Sequence, residues 1–287
     1  MGIRGRIIVV PQGGIANRMR AITAGVTLGE RFGKSVVVVW HRDRELNASF
    51  QTMFETSDLP FELREMDDFE FNLKYEVPRK RNMYISALTN LFGRRRQLYL
   101  VDHFEKEDVA KIVECAGHDV VINSGLEFAD IDPSLINSIF RPTNRVQETK
   151  REILSGVKPI VAVQIRRTDN IISINNSPLE LFEQSIVAEL HNDSRIKIFL
   201  ATDDQDIKTR LASKYPDSIV FNPKEASRMT ESGIVDGLAE MYILSECRRI
   251  YGSYWSSFSE MASMIGGNEL IVVKAEQETP TSEKSKN

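Results

Sequence analysis

The chain has 287 residues, 41% hydrophobic and 27% charged, a balance that excludes a disulfide-held miniprotein and disorder throughout. Its formal net charge of −4 exerts no global pull on nucleic acid or on an anionic membrane, so any phosphate recognition has to be local. Two cysteines, Cys115 and Cys247, and four histidines supply neither a disulfide framework nor a zinc-ligand cluster.

The chain opens on an apolar run, 7–10, too short for a signal-peptide core and long enough for a first strand. Gly13-Gly14-Ile15-Ala16-Asn17-Arg18 follows and leads into a helix expected over 17–31, stopped by Gly33. Two glycines allow a sharp turn, and a helix start after it suits an anion. The plain alternative is a tight connecting turn with Asn17 as helix cap. The full glycine spacing of a dinucleotide fingerprint is absent. Further strands are expected at 35–40, 97–101 and 119–122, with a helix over 106–115. Between residues 58 and 96 an acidic patch (Glu65, Asp67, Asp68, Glu70) precedes two basic triplets, 79–81 and 94–96. These triplets lack interleaved aromatics, so no nucleic-acid partner is read from them.

A polar break at 141–145 sets a domain boundary, giving an N-terminal unit (1–145), a C-terminal unit (146–275) and a polar tail (276–287) expected to be disordered. The second unit alternates strands at 159–165, 196–201, 218–221, 249–252 and 269–273 with helices over 146–154, 178–190, 205–214, 233–247 and 257–265. Most strands are continuously apolar, as strands covered on both faces are, and the alternation predicts parallel sheets of βαβ units. No run reaches the roughly 18 apolar residues of a membrane-crossing helix. A reduced, cytoplasmic protein is the expectation, peripheral to a membrane if its substrate is lipid-linked.

Three further motifs lie at expected strand ends, where open α/β sheets bind ligands. Gln164-Ile165-Arg166-Arg167-Thr168-Asp169 places two guanidinium forks there, suited to phosphate. Ala201-Thr202-Asp203-Asp204 offers two carboxylates, read as a metal pair, an acid and base, or a helix cap by Thr202 or Asp203. Gly252-Ser253-Tyr254-Trp255-Ser256-Ser257 opens a helix with hydroxyl residues, fit for phosphate or for capping. Upstream, Glu240 sits on an amphipathic stretch where a solvated charge is the plain reading.

Together these motifs resemble the fucosyltransferase superfamily of core α1,6-fucosyltransferases, nodulation-factor fucosyltransferases and protein O-fucosyltransferases. Gln164 to Asp169 resembles the family's His-Val-Arg-Arg-Thr-Asp, Ala201 to Asp204 its Ala-Thr-Asp-Asp, and Glu240-Met241-Tyr242-Ile243-Leu244-Ser245 with Ser256-Ser257 its Asp-x-x-Leu-Leu-Ser…Ser-Ser segment. The resemblance implies an α/β, GT-B-like architecture of two Rossmann-like domains facing a cleft. It implies an inverting, metal-independent transferase moving fucose from GDP-fucose to a glycan or glycoconjugate acceptor. Arg166 would grip the β-phosphate, Glu240 would read guanine, and Gln164 would meet the base through its main chain. Arg166, Arg167 and Asn17 are the implied catalytic residues; Gly13, Gly14, Arg18, Gln164, Asp169, Asp203, Glu240, Ser256 and Ser257 are the implied donor-binding ones. One departure stands out: the core α1,6-type enzymes carry a Glu shortly after the arginine pair, and 171–176 here contains no carboxylate. The rival readings are a transferase of another GDP-sugar, a silent GDP-sugar or glycan binder, and a Rossmann-type dinucleotide enzyme.

Overall fold

A computed structural model describes residues 5–75, 105–168 and 170–275. The expected strand at 97–101, both basic triplets, Asp169 and the tail lie outside the described residues. The first sheet comprises β1 (Ile7–Pro11), β2 (Val36–His41), β3 (Glu62–Met66) and β4 (Val120–Ser124), all parallel, in the order β3-β2-β1-β4. The second comprises β5 (Val161–Ile165), β6 (Ile198–Thr202), β7 (Ile219–Phe221), β8 (Arg249–Ser253) and β9 (Glu269–Val273), also parallel, in the order β7-β6-β5-β8-β9. The helices are α1 (Ile15–Phe32), α2 (Phe50–Met53), α3 (Asp68–Lys74), α4 (Lys106–Cys115), α5 (Pro133–Ile139), α6 (Asn144–Leu154), α7 (Ile171–Asn176), α8 (Leu179–Asn192), α9 (Gln205–Lys214), α10 (Glu231–Glu246) and α11 (Ser257–Gly266).

Strand pleating sorts the apolar residues by parity. In β1, Ile7 and Val9 join one cluster while Ile8 and Val10 join another with Phe71 and Tyr75 of the α3 region. In β5, Ala162 faces the first cluster while Val161, Val163 and Ile165 face Phe182 and Ile186 of α8. One apolar cluster is therefore shared by the inner faces of both sheets, with α1, α10 and α11 between them. Each of its fully buried Leu or Ile side chains contributes about 1.5–3 kcal/mol. Among the described residues no helix is long and apolar enough to cross a membrane.

In both sheets the strand order reverses beside the first strand: between β1 and β4, and between β5 and β8. Open α/β sheets bind ligands at the carboxyl ends of strands at such reversals. Arg166 follows β5, Ser253 ends β8 and Gly13 follows β1. The starts of α1 and α11 also meet, through an ion pair between Arg20 and Glu260. Beyond β2 and β7, Asn47 donates to the Arg228 carbonyl (3.2 Å) and, through Nδ2, to that of Met229 (3.0 Å). The carboxyl ends of both sheets thus open on one side.

Candidate functional site

β5 is buried along its whole length and delivers Arg166 and Arg167 to the carboxyl end of the second sheet. Asp203, just past β6, is the hub there. Its Oδ2 accepts from Arg166 Nη1 (2.8 Å) and from the Thr168 hydroxyl (2.8 Å), and its Oδ1 from the Arg167 backbone N–H (2.8 Å). The Arg167 guanidinium turns elsewhere: Nη2 donates to the Ser177 carbonyl (2.7 Å) and the group lies 5.9 Å from the Phe182 ring centre. The two arginines are therefore separated, Arg166 toward β6 and Arg167 onto the α7–α8 junction. Helix capping falls to Asp204, whose side chain accepts from the Ile207 N–H (3.0 Å), and not to Thr202 or Asp203.

Ser253 ties the neighbouring strand to this loop. Its hydroxyl accepts from the Arg166 N–H (2.9 Å) and donates to the Gln164 carbonyl (3.4 Å). The Gln164 side chain is buried and its Oε1 has no partner. Strand parity puts that oxygen on the face Ala162 presents to the shared cluster. After β8 the chain turns through Trp255 at φ +59° and enters α11, with Ser256 at the cap position making no side-chain capping bond and Ser257 as first helical residue. Gly252 is needed for close approach: an added Cβ would lie 2.5 Å from the Ser259 Oγ and 2.9 Å from Leu270. Gly252→Ala should push α11 off β8, lowering stability by about 1–3 kcal/mol; thermal melting checks this.

The first sheet contributes the Gly13-Gly14 turn. Gly13 has φ +81°, a conformation that strains an L-residue, and Gly14 occupies the cap position of α1. The cap is therefore not Asn17, which lies inside the first turn with its side chain over Gly13 and Gly125. Arg18 is 1% exposed. Its Nε donates to the Gly13 carbonyl (2.9 Å), Nη1 to the His41 carbonyl (2.5 Å), and Nη2 pairs with Asp43 (2.8 Å) over the Trp40 ring. These contacts make Arg18 the brace that fixes the turn.

Glu240 is half-buried on α10, not solvated. Burial raises its carboxyl to about 7, against the downward pull of Lys208 and a hydrogen bond with Asn222. Sequence reasoning missed Lys208, 1% exposed on α9, because 205–214 reads as an ordinary amphipathic helix with a solvated lysine.

No protein-family model and no curated protein sequence matches the chain. Solved structures do. The fucosyltransferase NodZ from Bradyrhizobium matches with a TM-score of 0.59 at 14% identity, over 90% of this chain and 92% of its own. A mutant of Arabidopsis thaliana FUT1 in complex with GDP gives 0.60 at 15% identity, over 93% and 69%. POFUT1 in complex with GDP gives 0.55 at 14% identity, over 94% and 98%. The chain has the fold of these fucosyltransferases.

In this GT-B fucosyltransferase fold, the segment after the arginine pair is α7. Ile171 and Ile172 there are 71% and 49% exposed, and Asn170 Nδ2 donates to the Trp255 carbonyl (3.1 Å). Helix α7 holds no carboxylate. Asp203 and Asp204 do not converge, one being occupied by the arginine loop and the other by the α9 start.

Proposed function

We propose that the chain is an inverting, metal-independent glycosyltransferase that moves fucose from GDP-fucose to a glycan or glycoconjugate acceptor in the cytoplasm. The observation that carries this reading is the Asp203-held Arg166 beside the start of α11, at the strand-order reversal of the second sheet. Arg166 and the first N–H groups of α11 meet the donor diphosphate, with Ser256 and Ser257 completing the site. Negative charge grows on GDP as it leaves, and preorganised donors stabilise it without reorganising. Arg167 and Asp203 hold the loop, Gly13 and Gly14 close the opposite wall under the brace of Arg18, and Asn17 faces the reacting sugar. Glu240 accepts from the N1–H and 2-amino group of guanine while Gln164 supports the base. The fucosyl carbon becomes cation-like before attack, which acidifies the incoming hydroxyl as the bond forms. Little base assistance is then needed, in keeping with an α7 that has no carboxylate.

That same α7 favours a second reading, a protein that holds a GDP-sugar and does not transfer it. The donor assignment is tested by thermal shift. GDP at about 100 times its dissociation constant stabilises by about 2.7 kcal/mol, or roughly 4–5 °C for a chain of this size. UDP and ADP, whose bases do not present both donors to Glu240, are expected to move the melting temperature by less than about 2 °C. Equal shifts with all three nucleotides contradict the guanine assignment. Excess chelator is expected to leave turnover unchanged; a loss restored by magnesium or manganese contradicts metal independence.

A further inference from the structure

We propose that Arg20 is a positioning residue for transfer: through Glu260 it holds the α1 wall, with Asn17 on it, against the start of α11. This deepens the transferase reading above and rests on it.

The two helices belong to different sheets, α1 following β1 and α11 following β8. Arg20 lies three residues beyond Asn17, and Glu260 three beyond Ser257. Residues at that spacing share a helix face, so each charged residue sits one turn in from a group assigned to the site. The ion pair between Arg20 Nη2 and Glu260 Oε2 joins those two faces. It sets the register between Asn17, which faces the reacting sugar, and Ser257, at the donor phosphates. The pair is more than a loose surface contact. The Arg20 side chain is only 12% exposed and that of Glu260 40%, and Arg20 Nε is buried without a hydrogen-bond partner among the described residues. A guanidinium so far withdrawn from water is costly unless a carboxylate compensates it. Ala16 and Met19 of α1 and Met261 and Ala262 of α11 are buried in the shared cluster. That apolar packing brings the helices together, and the ion pair fixes which faces meet. At its far end α11 has another tie to the first unit: Asn137 Nδ2, on α5, donates to the Ile265 carbonyl (3.0 Å).

The plain alternative is that the pair only adds stability. Arg20→Gln and Glu260→Gln each break it. GDP is met by Arg166, Glu240 and α11 within the second unit, so its affinity, measured by calorimetry, should stay within about threefold in both variants. The kcat for fucosyl transfer should fall at least about tenfold in each, because misplacing a reacting group by about 1 Å costs up to about a hundredfold. The double variant should lose no more than the weaker single, since residues acting as a unit are not additive. Asn137→Ala is the control: it removes the far tie, lowers the melting temperature, and should leave kcat within about threefold. Wild-type kcat in the folded Arg20→Gln or Glu260→Gln protein overturns the role. A GDP affinity that falls in step with kcat overturns it too, as does an equal kcat loss in Asn137→Ala, which would trace the effect to stability. Should Arg20→Gln not fold, Glu260→Gln, at the more exposed partner, decides by the same split. A wild type that binds GDP and transfers to no acceptor overturns the transferase reading and this role with it; a wild type that transfers beside undiminished variants overturns this role alone.

Discussion

Asp203→Asn should lower fucosyl transfer by about a hundredfold or more while Asp204→Asn leaves it within about threefold. Asp203 accepts three hydrogen bonds, from the Arg166 guanidinium, the Arg167 N–H and the Thr168 hydroxyl. Asparagine keeps one acceptor and turns an amide NH2 toward groups that themselves donate. A hydrogen bond to a charged group is worth about 1.5–3 kcal/mol, and about 1.4 kcal/mol of barrier is tenfold in rate. Losing the anchor of Arg166 therefore suffices for two decades, with part of the loss appearing as a lower melting temperature. At Asp204 the expectation differs because asparagine caps a helix as well as aspartate does. Steady-state kinetics with GDP-fucose on both variants, beside thermal melts, makes the check. Equal large losses at both positions, restored by added metal, would return the pair to the role of metal ligands. Arg166→Lys keeps a charge and loses the fork, so turnover should fall by more than about tenfold with little change in stability. Arg167→Lys should lower stability as well, because its guanidinium holds the Ser177 carbonyl.

Glu240→Gln should stabilise the ligand-free protein above pH 7 and weaken GDP. A carboxyl whose folded pKa lies near 7 is neutral in the folded chain after it has ionised in the unfolded one. Its contribution to stability is complete below the unfolded value, about 4.5, and is lost as pH rises through about 7. Above that, glutamate at this position costs about 2–3 kcal/mol, reduced by its partial exposure. Glutamine carries no such penalty, so the variant should melt several degrees higher at pH 8 and match the wild type near pH 4.5. It offers one acceptor where guanine presents two adjacent donors, so GDP should bind about 10–100-fold more weakly. A variant that melts lower at pH 8, or that keeps its preference for GDP over UDP, contradicts the role of Glu240.

The parts of this fold visible in the sequence are those governed by continuous burial. β1, β5 and β6 are apolar on both faces, so their residues announce strands without alternation, and the motifs that follow them fall at sheet ends. β3 was not legible: Glu62–Met66 is an edge strand of exposed and half-buried residues, and its polar composition hides the ladder to β2. α1 begins at Ile15 because Gly14 ends the turn without any side-chain cap, leaving no capping signal in the letters. The acidic pair showed that a helix starts near residue 205 but not which carboxylate caps it; that depended on Asp203 having donors from three residues of the loop after β5. Arg18 and Lys208 share one lesson. Each is a cation that its helix pattern would place in solvent, and each is buried because a carbonyl or carboxylate from a distant segment receives it. Long-range partners of that kind leave no trace in local spacing.

The most direct test of the central claim is release of GDP from sugar nucleotides by the purified chain, with and without a panel of glycan acceptors. GDP-fucose should yield GDP slowly in water and faster with a suitable acceptor, ahead of GDP-mannose, and Arg166→Ala should abolish both while remaining folded. A folded protein that binds GDP tightly yet releases none from GDP-fucose under any acceptor would contradict transfer and leave a GDP-sugar-binding protein in its place.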